Sequence, residues 1–163
     1  MNQAVNPLSR QISGNHYKDL AIQPVMFAEI NELTFCQGNV AKYLTRHRTK
    51  NGRADVEKAI HFAELMIEVA QPSWVLLLPL IKPHRLHEYA EKWEIMRQTL
   101  LGRSVQERCS VNRPAILPGI YSAVNKLDYL EASAIEAITY HPTLDNVQKG
   151  IQRMQELLRE CYG

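Results

Sequence analysis

The hydrophobic and polar positions of this chain alternate mainly at helical spacing. Val56, Ala59, Ile60, Ala63, Met66, Ile67 and Ala70 make one apolar stripe, and Glu57, His61, Glu64 and Glu68 make a solvated one, which predicts a helix over 54–70 closed by Pro72. Upstream, Pro24 suits a first helical turn, and Phe27, Ile30 and Leu33 continue the spacing, so a helix is expected over about 24–33. Gln37-Gly38-Asn39 reads as a break and cap before a second helix over 39–49, and Lys50-Asn51-Gly52 as a turn. Further on, Pro83 opens a helix with Leu86, Tyr89, Trp93, Met96 and Leu100 on one side, running to Gly102. It is expected to connect two parts of the molecule.

Those two parts share a pattern. Pro24, Asn31, Leu33, Thr45 and His47 recur 94 positions on as Pro118, Asn125, Leu127, Thr139 and His141. After a three-residue deletion, Val56, Lys58 and Ile60 recur as Val147, Lys149 and Ile151. The expected fold is therefore all-α, with two related three-helix modules joined by a connector helix, the second module degenerate. The boundaries are a mobile arm (1–15), a first module (16–71), a connector (72–113) and a degenerate repeat (114–163).

The polar residues of the first module carry the chemistry. A helix through Gly38–Lys50 gathers Asn39, Lys42, Tyr43 and Arg46 on one side, at spacings of three and four. No acid lies between Glu32 and Asp55, yet Lys42, Arg46, Arg48, Lys50 and Arg53 all do, so a chain of net charge +2 concentrates its positive potential there. That concentration suits an anion, above all a phosphate. The second copy has Ala132, Ser133, Glu136 and Tyr140 in place of Gly38, Asn39, Lys42 and Arg46, so it keeps packing positions and loses the anion-binding ones.

The remaining composition narrows the classes. With 45% hydrophobic and 22% charged residues over 163 positions, the chain reads as a folded globular protein. Three cysteines without a Cys-x-x-Cys pair support neither a disulfide scaffold nor a thiolate metal site, and fit a reducing bacterial cytoplasm. The apolar run Trp74–Ile81 is too short to span a bilayer and contains Pro79. No secretion-signal pattern opens the sequence. His84-x-x-His87 has helical metal spacing but lacks a third ligand, so no metal site is expected.

His16-Tyr17, Gly38-Asn39-x-x-Lys42-Tyr43-x-x-Arg46, Lys50 and Asp55-x-x-Lys58-Ala59 together resemble the signature of a family of small bacteriophage proteins, long listed as a domain of unknown function. Its members include a nucleotide kinase of short-tailed coliphages. The resemblance covers about residues 15–70. It implies a phage or prophage origin, a helical module and nucleotide binding or phosphorylation, with a nucleoside triphosphate as phosphate donor if the protein is a kinase. No Gly-x-x-x-x-Gly-Lys-Ser/Thr loop is present, so side chains would have to hold the phosphates. On that expectation Lys42 and Arg46 contact phosphate as the catalytic pair, Arg46 through two parallel hydrogen bonds. Tyr17 or Tyr43 stacks on a base, His16 and Asn39 bond to sugar or base, Asp55 orients Lys58 or Arg46, and Lys50 and Arg53 close over the ligand. Arg46 and Asp55 could equally pair across neighbouring helices, and Tyr43 also fits a packing position.

Two functional classes follow. One is a nucleotide-binding phage accessory protein, such as a deoxynucleoside monophosphate kinase. The other is a non-enzymatic viral inhibitor of host defence that sequesters a nucleotide messenger or occludes a host protein complex. Self-association through apolar surface is expected, and membrane association is not. A nucleic-acid binder using the same basic helix ranks last, given the modest net charge.

Overall fold

The computed structural model describes residues 7–9, 14–69, 116–140 and 142–163, and all regular structure among them is helical. The first unit comprises α1 (Pro24–Ile30), α2 (Phe35–Arg46) and α3 (Arg53–Val69), with a 3₁₀ turn at His47–Thr49. The second comprises α4 (Pro118–Val124), α5 (Tyr129–Thr139) and α6 (Leu144–Tyr162). The expected connector helix from Pro83 to Gly102, the apolar run before it and His141 lie outside the described residues. No helix among the described residues is long and apolar enough to cross a membrane.

Local chemistry explains the boundaries, and corrects two of those expected. α1 ends at Ile30 rather than near residue 33, because Asn31 caps it and Glu32 turns into the left-handed region at φ 52°. The chain then closes through Leu33 N–H to the Ala28 carbonyl at 2.9 Å. α2 starts four residues earlier than expected. Thr34 accepts from the Gln37 amide, and the Gln37 side chain accepts from the Thr34 amide, a reciprocal cap that pulls Gln37-Gly38-Asn39 inside the helix. Gly38 is there for close approach, since a Cβ on it would stand 3.3 Å from the Ala28 Cβ of α1. α3 starts one residue before its expected position and is helical through Val69, the last residue described there, its apolar stripe being long and unbroken.

The second unit repeats these devices. Pro118 opens α4, Asn125 caps it, Lys126 takes φ 56°, and Asp128 with Glu131 forms a second reciprocal cap. Contacts between the units are also paired. Asn31 Nδ2 donates to the Ile116 carbonyl at 2.9 Å, and Asn125 Nδ2 donates to the Ile22 carbonyl at 2.8 Å. At their centre the rings of Phe27 and Tyr121 stack with centroids 4.1 Å apart. Residue i of one unit meeting j of the other, while j meets i, is the contact pattern of a two-fold interface.

The buried residues form one core, with Phe27, Val40, Leu44, Val56 and Met66 from the first unit continuous with Tyr121, Ile135, Ile138, Met154 and Leu157 from the second. Each helical unit is too small to bury such surface alone. Polar groups fix the seam: Gln37 Nε2 donates to the Ile138 carbonyl at 2.9 Å, and Thr45 and Tyr121 hydroxyls share a hydrogen bond at 2.6 Å. His47 sits between the Tyr162 hydroxyl at 2.7 Å and the Glu131 carboxylate at 2.6 Å, fully buried.

Candidate functional site

The seam divides the basic stretch into two sets. His47 and Arg48 turn toward the second unit, where Arg48 bridges Asp128 and Glu131, the latter at 2.7 Å. Arg53 follows them. Its Nε meets Glu57 at 2.8 Å and its Nη1 donates to the Tyr162 carbonyl at 3.2 Å, at the end of α6. Arg53 thus contacts the end of the second unit and does not line the groove between α1 and α2. α6 leaves carbonyls without helical partners at its last turn, and a cation satisfies one of them.

His16, Tyr17, Lys42, Tyr43, Arg46, Lys50, Asp55 and Lys58 form the other set. Its centre is a clamp between α2 and α3. Arg46 Nε donates to Asp55 Oδ2 at 3.0 Å, and Nη2 to Oδ1 at 3.3 Å. Nη1 donates to the Tyr17 hydroxyl at 2.8 Å, tying the segment before α1 to the same point. Asp55 is fully buried and also accepts from Asn51 Nδ2 at 3.0 Å, with Lys58 Nζ 3.7 Å away. Burial alone would raise the Asp55 pKa, but the hydrogen bonds from Asn51 and Arg46 and the cations of Arg46 and Lys58 hold it below the usual carboxylate value. Burial works against the Arg46 charge too, yet its bonds to Asp55 and Tyr17 raise its pKa.

Of the two readings of Arg46, the contacts follow the pairing across helices. Its fork is committed to Asp55 and Tyr17, and its side chain is only 11% exposed, so the two parallel bonds expected to go to phosphate go to Asp55. Tyr43 is occupied as well. The Arg46 guanidinium, the Lys42 ammonium and the Lys58 ammonium lie 4.8, 4.3 and 5.6 Å from its ring centre, and Phe62 stacks near it at 5.8 Å. It gathers cations and packs; it is not an open platform for a base. His16 meets the Tyr17 ring edge-on, and its Nε2 lies 3.5 Å from Lys50 Nζ. Burial, then the Lys50 and Arg46 charges, lower the His16 pKa, so the ring favours its neutral form.

Beside the clamp, α1 and α2 enclose a groove of about 330 Å³. Val25, Ala28, Leu33 and Phe35 supply its apolar walls, and Tyr17, Glu29, Asn39 and Lys42 its polar groups. Asn39 is buried with both ends of its amide engaged: Nδ2 donates to the Phe35 carbonyl at 2.8 Å, and Oδ1 accepts from Lys42 Nζ. Lys42 is thereby held at the groove rather than trailing into solvent. Its pKa is lowered first by burial and then by Arg46, Lys58 and Lys50, against the pull of Asp55. A cation destabilised by its neighbours gains from an anion brought beside it. Lys42 lines the groove, and Arg46 does not.

Phe35 was not among the sequence candidates, yet it is 76% exposed at the first position of α2 and lines the groove. The signal was a large aromatic directly after a Thr-x-x-Gln cap, where a helix begins and little can cover it. Glu131 was likewise missed as the partner of His47 and Arg48.

Among the described residues the molecule is thus an all-α protein with a cation-bearing groove beside a buried arginine–aspartate clamp. Residues 12–64 match the model of a phage-type family described as a protein of unknown function, DUF3310. The match takes in every signature residue from His16 to Lys58 and ends before the second unit. No curated protein and no solved structure matches the chain.

Proposed function

We propose that this protein is a phage-type accessory protein that binds a nucleotide in the groove between α1 and α2. The observation that carries the reading is Lys42, a half-buried cation tethered by Asn39 at the mouth of an apolar groove. The phosphate is assigned to Lys42, with Lys50 and Lys58 adding positive potential around it. The base is assigned to Phe35, the exposed aromatic at the rim, in place of Tyr17 and Tyr43, whose polar or cationic contacts engage them. The volume of about 330 Å³ lies at the small end for ligand pockets, and so favours a single nucleotide over a larger ligand. Arg46, Asp55 and Tyr17 then serve as positioning residues that hold α2, α3 and the preceding segment together.

Phosphoryl transfer rests on cations positioned against the charge of the transferred group. With Arg46 committed to Asp55, the geometry favours binding without turnover, in line with a viral protein that sequesters a nucleotide. The second unit is read as a duplicate that has kept the core positions and lost the cations of Lys42 and Arg46, supported by the paired caps and paired asparagine bonds and by Glu136 and Tyr140 standing in their places.

Calorimetric titration with the four deoxynucleoside monophosphates and with ATP tests the proposal. Binding of at least one is expected, with Lys42→Ala and Phe35→Ala each weakening it tenfold or more in order of magnitude, while circular dichroism stays unchanged. Binding that survives both substitutions would overturn it. Incubation of monophosphates with ATP and Mg²⁺ separates the two activities: diphosphate formation identifies a kinase, and unchanged monophosphates identify a binding protein.

A further inference from the structure

The second unit carries a concavity of its own, unrelated to the groove between α1 and α2. It is an open cleft of about 650 Å³ between the start of α5 and the outer face of α6. Three cations line it, Lys149, Arg153 and Arg159, against one carboxylate, Glu156. That carboxylate is already used, since Arg153 Nη1 donates to Glu156 Oε2 at 3.0 Å. The bond steadies the Arg153 guanidinium, whose carbon lies 5.6 Å from the centre of the Tyr129 ring. Lys149 is held by Asp145 one turn back, at 2.6 Å. Both members of that pair are well exposed, so the pair is readily exchanged for another anion.

Tyr129 is the unusual feature. It is 69% exposed, so burial does not explain an aromatic there. It stands 94 positions after Phe35, which is also exposed at the first position of its helix. Lys149 likewise stands 91 positions after Lys58, an offset that allows for the three-residue deletion. Where Phe62 meets Phe35 in the first unit, Arg153 meets Tyr129 in the second. The second unit thus has an exposed aromatic and a lysine at the matching positions, and a cation in place of the aromatic neighbour. A ring braced on one side by a guanidinium and open elsewhere is a stacking platform.

We infer that this cleft binds single-stranded nucleic acid, with a base stacked on Tyr129 and backbone phosphates on Lys149, Arg153 and Arg159. The cations run over ten residues of α6, roughly 15 Å at helical rise, which one phosphate cannot span and a strand can. Gln152, also in the lining, can donate to or accept from any base edge, which suits binding without strict sequence preference. The basic stretch of the first unit plays no part.

Fluorescence anisotropy of a labelled single-stranded oligodeoxythymidine, about 12 nucleotides to cover the usual site sizes, tests the inference on the full chain. Binding is expected at low salt and should weaken as salt rises. Tyr129→Ala should weaken it on the order of tenfold or more. Arg153→Gln should weaken it and reduce the salt slope by about one. Lys42→Ala should leave it unchanged, which separates this site from the nucleotide groove. All three positions are at least partly exposed, and circular dichroism checks that each variant folds. Absence of salt-sensitive binding, full binding by Tyr129→Ala, or loss of binding in Lys42→Ala would each overturn the inference. Displacement of the oligomer by a mononucleotide at equal concentration would overturn it as well, by assigning the cleft to a single nucleotide.

Discussion

Asp55→Asn strikes the point where three segments meet. The substitution keeps the shape of the side chain but removes the negative charge and turns one acceptor oxygen into an NH₂ donor facing other donors. Arg46, with a side chain 11% exposed, loses its charged partner, and the one oxygen that remains can serve either Arg46 Nε or the site shared by Asn51 and Lys58, not both. Breaking a buried ion pair by removing one member costs about 3–5 kcal/mol. The slight exposure of Arg46 puts the expectation at the lower end, about 3 kcal/mol. For a chain of this size that is a fall of roughly 6–12 °C in Tm. The sign of the pH effect follows from the depressed Asp55 pKa. An unfolded carboxyl titrates near its ordinary value of 3.8, and the folded one lower, so the pair's contribution is complete above that value. It is lost as pH falls through the folded pKa. Urea unfolding at pH 7 and at a series of acid pH values would show the native protein losing this increment in acid, and Asp55→Asn lacking it throughout. Stability within about 0.5 kcal/mol of the native protein at pH 7, an ordinary surface effect, would refute the claim that this clamp holds α2 and α3 together. An acid limb parallel to that of the native protein would do the same.

Other perturbations test the seam and the caps. Tyr121→Ala removes the stack on Phe27 and the hydroxyl bond to Thr45, and should cost about 3–5 kcal/mol. Because the core is continuous, thermal unfolding should remain a single transition; separate melting of the two units would contradict the shared core. Thr34→Ala should cost about 1 kcal/mol, read as a lower urea midpoint at unchanged slope, because the Gln37 amide loses its cap and the chain its register into α2.

The parts of the fold that were legible were those governed by short-range rules. The α3 stripe is a repeated pattern over four turns, so its span could be read closely. The start of α2 was not, because Gly38 looks like a breaker until the close approach of Ala28 explains it. Lys42 and Asn39, three residues apart on one helix, meet as their spacing implies. Arg46 and Asp55 were recognised as either ligand contacts or partners, and spacing alone could not choose between them. The contact of Arg53 with the Tyr162 carbonyl was not legible, because the two lie 109 residues apart.

The helical class of the protein, the apolar faces of its helices and the clustering of cations on the first unit were all readable from residue order alone. These follow from periodicity and charge, which act within a few turns. What each face meets is set by the packing of the helices. That packing sends His47 and Arg48 to Glu131, seals Arg46 against Asp55 and Tyr17, and leaves Lys42 at a groove and Phe35 at its rim. The physical reason is that helical spacing fixes a side chain's direction from its own axis, whereas its partner depends on how distant helices pack around the shared core.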